Sequence, residues 1–194
     1  MRSSYRTQLI YRRSGVTLTE LLIVLVIIGI VAAFALPKID IAKYKLNTGM
    51  RIVGTGLLTA QRRAISAQHD VIVTFNATTH VIRIIEDANN NGQLDTGERA
   101  RAVSQGEGVL IGRASTPAHT VGAGPVTFTN TVGGLPALTF HRNGSASEFG
   151  GVYLTSQRAI QSSTILHDTR VITVERSTGR VSWFKYDTQW NRGF

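Results

Sequence analysis

From Leu21 to Leu36 the chain carries no polar or charged side chain, and a single carboxylate, Glu20, stands at the head of that run. Such a segment has no polar face to turn toward water, so it reads as a helix meant for apolar surroundings. Taken as helix, Val16 to Leu36 would extend roughly 31 Å against a hydrocarbon core of about 30 Å. One membrane crossing is expected. Beyond Pro37 the pattern changes: Ile39, Ala42, Leu46, Met50, Val53, Leu57, Ala60 and Ala64 recur at steps of three and four, one apolar face of a helix, while Lys43, Lys45, Arg51, Arg62 and Arg63 mostly take other faces. Gly49, Gly54 and Gly56 each weaken this second helix by about 1 kcal/mol relative to alanine, so its order must come from packing on something, naturally a sheet. Pro37 is expected to kink the join between the two halves.

From Asp70 onward the period falls to two, or to short β-branched runs: 71–75, 81–85, 109–111, 138–140, 152–154, 171–174 and 181–184. Ser177-Thr178-Gly179 and Asn76 to Thr79 read as hairpin turns. The Gly-, Thr- and Pro-rich stretch 112–137 reads as a long mobile loop around one short run, Val126 to Phe128. The fold class is α+β: a long N-terminal helical spine on a β-rich head. Four segments follow: a basic leader over 1–15, a membrane helix over 16–36, an amphipathic helix over 37–68 and a head over 69–194.

Charge changes the picture less than its total suggests. Of the formal +9, the leader arginines Arg2, Arg6, Arg12 and Arg13 supply +4, leaving +5 on the rest. Those arginines instead set orientation: the positive-inside asymmetry holds the leader in the cytoplasm and sends the C-terminal part across the membrane. The absence of cysteine removes disulfides and thiolate metal sites.

A lone carboxylate deep in an apolar span costs about 2.5 to 3.5 kcal/mol on insertion scales, so Glu20 calls for a partner. A cut between Gly15 and Val16 would supply one, because the new α-amino group would lie one helical turn from Glu20 and the carboxylate would sit at the positive end of the helix dipole. These residues resemble the N-terminal signature of type IV prepilins and pseudopilins, with Gly15 before the cut, Glu20 as fifth mature residue, Gly29 as fourteenth and Pro37 as twenty-second; Val16 departs from the usual phenylalanine. The resemblance implies cleavage and N-methylation at Gly15 and Val16 by a prepilin peptidase/N-methyltransferase. It also implies an inner-membrane assembly platform and other pseudopilins or pilins as partners, with a periplasmic head. The alternative is a secretory signal peptide ending at Ala33-Phe34-Ala35, which would free a secreted β-domain.

The head has a narrower resemblance, to the H-type minor pseudopilins of type II secretion and to FimT-like minor pilins. It rests on Ala60-Gln61-Arg62-Arg63-Ala64-Ile65, Leu138-Thr139-Phe140 with Gly144, and Gly179-Arg180-Val181. That resemblance implies assembly rather than turnover, in a secretion pseudopilus or in a pilus or DNA-uptake fibre.

Three further patterns bear on chemistry. Asp87 to Glu98 fills every required position of the twelve-residue calcium loop, with oxygens from Asp87, Asn89, Asn91, Asp95 and Glu98 and the Gln93 carbonyl. Strand-like flanks make a solvated hairpin loop the first reading and calcium the second. Arg180 lies where a DNA-binding FimT-like motif would be, but Ser182 replaces its second arginine; the aromatic and basic residues from Trp183 to Arg192 read first as sheet faces, so nucleic acid is not the expected partner. His69, His80, His119, His141 and His167 are scattered outside any hydrolase or phosphate-loop motif, and no catalytic residue is named.

Overall fold

The structure, a computed structural model, describes residues 15–35, 40–162 and 164–193. The leader residues before Gly15 and the expected kink at Pro37 lie outside the described residues. The chain divides into two units, Met1–Asp40 and Ile41–Phe194.

In the first unit helix α1 runs Leu18–Ala35. It starts two residues later than a helix from Val16 would, because Thr17 caps it: the Thr17 carbonyl accepts from Leu21 N at 3.1 Å and its hydroxyl from Glu20 N at 3.2 Å. The side chains from Leu21 to Val31 are about equally exposed all round the helix. At 1.5 Å per residue α1 is roughly 27 Å long, short of the roughly 31 Å expected of the whole 16–36 stretch. Among the described residues no helix is long and apolar enough to cross a membrane.

The second unit opens with α2, Ile41–Ala67. Ten strands follow among the described residues: β1 Asp70–Asn76, β2 Val81–Asp87, β3 Ala100–Val103, β4 Val109–Ile111, β5 Thr131–Val132, β6 Leu135–Phe140, β7 Gly150–Ser156, β8 Thr169–Val174, β9 Val181–Asp187 and β10 Gln189–Arg192. They form two antiparallel five-stranded sheets, ordered β3-β2-β1-β6-β5 and β10-β9-β8-β7-β4. A short helix α3, Gln157–Gln161, leaves β7 under a Ser156 cap whose hydroxyl accepts from Ala159 N.

One core joins the helix to both sheets. From α2 come Leu46, Met50, Val53, Leu57, Ala60 and Ala64; from the sheets come Val73, Phe75, Ile84, Leu138, Phe140, Val152, Leu154 and Ile172, all under a tenth exposed. The α2 members are the apolar face expected from their spacing. The glycines of this face have separate reasons. A Cβ on Gly49 would come within 2.5 Å of the Gln105 carbonyl, and one on Gly54 would fall on the Trp183 indole nitrogen.

The 112–137 stretch departs from the mobile loop expected. Val126 bridges to Val152, Tyr153 N donates to the Pro125 carbonyl at 2.9 Å, and Phe128 is buried with its ring stacked 5.3 Å from Phe75. It lacks long strands because it follows the sheet edge through single bridges rather than a ladder, which leaves no periodic signature.

Candidate functional site

At the N-terminus the chemistry is set by what surrounds Glu20. The stretch Thr17-Leu18-Thr19-Glu20 has the spacing of a capping box, a signal present in the sequence that spacing alone could have revealed. Only half of the box is made: Thr17 caps the Glu20 amide, while the Glu20 carboxylate, exposed, makes no hydrogen bond or ion pair among the described residues. It therefore sits in the first turn of α1, where the helix dipole favours a negative charge. Gly15 and Val16 precede the helix in exposed chain outside any helix or strand, with Val16 70% exposed.

In the head, three separate stretches that the sequence singled out converge. Gln61, on α2, donates its side-chain amide to the Gly144 carbonyl at 2.7 Å and to the Thr178 carbonyl at 2.8 Å. Gly144 and Gly179 both have positive φ, +84° and +61°, and a Cβ on Gly179 would fall on the Gly144 carbonyl and the Gln61 amide. The turn between β8 and β9 thus closes on the helix only because residue 179 has no side chain. A second polar fastening was not legible in the sequence. Arg170, 1% exposed, donates Nε and Nη2 to Asn47 Oδ1 of α2 at 3.1 and 3.0 Å and Nη1 to the His167 and Thr169 carbonyls at 2.7 and 3.0 Å. Burial pushes its pKa down, with Asp168 and Asp187 opposing the fall.

The 87–98 loop joins two strands, β2 and β3, and its oxygens are turned on its own backbone. Asp87 accepts from Asn91 N at 3.1 Å and Gly92 N at 2.7 Å, and Glu98 accepts from Ala88 N at 3.1 Å and Asp95 N at 3.0 Å. Asp95 Oδ2 takes the side-chain amides of Asn89 and Asn91 at 2.8 and 2.6 Å, while the Asn91 side-chain oxygen takes Gln93 N. Asp87, Asp95 and Glu98 do not bring three ligand oxygens within 4.8 Å of one another. These bonds hold the loop as a tight turn built from its own side chains.

Arg180 is exposed beside the Gly179 turn and shares a small cleft of about 170 Å³ with His119, Phe184 and Arg192. The neighbouring aromatic rings are not a free stacking platform. Trp183 packs on α2 at Gly54, Tyr186 is 8% exposed, and Phe184 and Trp190 lie against the His119 ring at 4.5 and 5.4 Å. Burial lowers the pKa of His119. The His141 ring lies 2.8 Å from Asp70 Oδ2 at the surface, and no hydroxyl is bonded to that ring among the described residues.

The comparisons with known proteins bear on the N-terminus alone. Residues 10–36 match the family described as the prokaryotic N-terminal methylation motif. The chain is thus type IV pilin-like: the motif supports the type IV prepilin and pseudopilin superfamily, and with it processing by a prepilin peptidase and assembly with other pilins. No curated protein and no solved structure matches the chain.

Proposed function

We propose that the chain is a minor pseudopilin of a type II protein secretion system. It is made as a single-pass inner-membrane precursor, cut after Gly15 and methylated on Val16. The apolar run from Leu21 to Leu36, most of which lies in α1, anchors it in the membrane and then enters a short periplasmic fibre; the head works by contact rather than catalysis. The observation that carries this reading is Glu20, a lone carboxylate without a partner among the described residues, at the start of a helix that is apolar on every side and inside a matched methylation motif. In the apolar interior of a fibre an unpaired carboxylate is costly and a paired one is tolerated, so Glu20 docks on the N-terminal amine of a neighbouring subunit.

The test is the mature N-terminus of the full chain purified from membranes of a host with a prepilin peptidase, read by intact mass and terminal peptide sequencing. A start at Val16, with or without one methyl group, is expected; a start at Leu36 would overturn the reading in favour of a secreted domain. Glu20→Ala is expected to abolish co-purification with partner subunits while leaving the unfolding of the head unchanged.

A second reading, a FimT-like minor pilin of a type IV pilus or DNA-uptake system, draws on the convergence of Gln61, Gly144 and Gly179 equally. The two differ in their machine. Neighbouring genes for a secretion ATPase and secretin favour the first, and genes for pilus assembly and competence favour the second.

A further inference from the structure

Between α2 and β3 runs a continuous groove of two joined parts, about 540 and 300 Å³, with Thr59 and Arg101 common to both. One wall is the exposed side of α2; the other is the outer edge of its sheet, since β3 is the last strand on that side. Three features of this groove bear on what it could receive.

The first is a free backbone edge. Glu86 N donates to the Arg99 carbonyl, and the register pairs Ile84 with Arg101 and Ile82 with Val103. In an antiparallel ladder the intervening residues, Ala100 and Ala102, therefore turn their N–H and C=O away from β2 and outward. Both residues are exposed.

The second is Gly56, on the groove floor. Unlike Gly49 and Gly54, it has room for a side chain: the nearest atoms to a Cβ there are the Val103 methyls at 3.6 and 3.7 Å, ordinary contact. Glycine in a helix interior weakens the helix relative to alanine. Packing within the chain does not require it, whereas a chain lying in the groove would.

The third is charge. The walls carry Arg101 on β3 and Arg99 just before it, beside Arg63, which holds the carboxylate of Glu86 at 2.9 Å. Arginines on an edge strand deter indiscriminate pairing. They leave the edge open to a strand of opposite charge.

We propose that this groove receives an extended acidic segment of a partner protein, which adds to β3 as a sixth strand through Ala100 and Ala102 and sets its carboxylates against Arg101. Alternating N–H donors and C=O acceptors complement a peptide backbone, which is the general mode of strand addition. A nucleic-acid backbone offers phosphate acceptors but no matching row of donors, so the edge favours a polypeptide over a nucleic acid. The proposal does not rest on prepilin processing, and its failure would leave the Val16 N-terminus as it is found.

To test it, p-benzoylphenylalanine is placed at position 55, in place of Thr55 on the groove wall, in the full chain in host membranes, and the peptide joined on illumination is sequenced. The expected product is a glutamate- or aspartate-rich segment of another protein. Its yield should fall at least tenfold in Arg101→Glu, fall less in Arg101→Gln, and return in Arg101→Glu when the acids of that segment are changed to lysine. Gly56→Leu should also block the adduct, while Gly56→Ala leaves the unfolding midpoint unchanged or higher. In the complex, amide exchange at Ala100 and Ala102 should slow. The proposal is overturned by an adduct with nucleic acid, lipid, a second copy of this chain or a neutral or basic segment. It is equally overturned by no adduct, or by an acidic adduct that Arg101→Glu leaves intact.

Discussion

Helices α1 and α2 stand in the same chain and answer to opposite rules. Every face of α1 is apolar and its side chains from Leu21 to Val31 are roughly half exposed, whereas α2 buries Leu46, Met50, Val53, Leu57, Ala60 and Ala64 at 2% exposure or less and turns its charges outward. The difference separates two kinds of information in the sequence. The periodicity of α2 is complete within this chain, because the sheets it needs are encoded downstream. The uniformity of α1 specifies an environment, and its one carboxylate specifies a partner, neither of which its own sequence supplies.

If the contrast is sound, shortening a buried side chain of α2 should have the largest effect. Leu57→Ala should cost the head about 2 to 5 kcal/mol in denaturant unfolding, since a fully packed leucine is lost and a cavity is left. The equivalent change in α1, Leu25→Ala, should move the unfolding of the head by less than about 0.5 kcal/mol. Equal losses at the two positions would erase the distinction.

Acid should act on the head as well. Burial raises the pKa of Asp168, but hydrogen bonds from Arg158 and Ser156 outweigh it and hold the carboxyl low. Glu86 is held low by its hydrogen bond from Arg63. Groups with depressed folded-state values contribute stability above their unfolded values, so this contribution should disappear as pH falls below about 4. His119, lowered by burial, obeys the same sign at a higher pH: its contribution should begin to be lost below about 6.5, and His119→Gln should remove that upper step from a plot of unfolding midpoint against pH.

Smaller effects separate the glycines within α2. Gly54→Ala should destabilise by about 1 to 3 kcal/mol because the indole of Trp183 must move. Gly56→Ala should stabilise by about 0.4 to 1 kcal/mol, since its Cβ has room. Smallest for the head should be Thr17→Ala, which removes a cap worth about 0.5 to 2 kcal/mol from the start of α1 and leaves the unfolding of the head where it was.

The longer strands were legible because they place β-branched and aromatic side chains in the common core. Thr131–Val132 and Gln189–Arg192 were not, because they are short edge strands whose extended form comes from their neighbours β6 and β9 rather than from any pattern of their own. Buried polar fastenings hide for a different reason. Arg170 looks like any surface arginine until Asn47, 123 positions earlier, is brought to it. At the N-terminus the position of Glu20 was legible, but the cap that delays the helix to Leu18 was read only from the structure. In the calcium-like loop the residue types allow two uses, because the same oxygens that can bind a cation also satisfy the N–H groups of a tight turn.

The two polar fastenings have a mechanical meaning. Asn47 near the start of α2 and Gln61 near its end are about 21 Å apart along the axis at 1.5 Å per residue. Arg170 grips the first while the Gly144 and Thr178 carbonyls grip the second, with the apolar face seated between them. A tug along the helix is then borne in shear by both clasps and the whole seat together, rather than peeled away one contact at a time. The head becomes a load-bearing grip on its own helix.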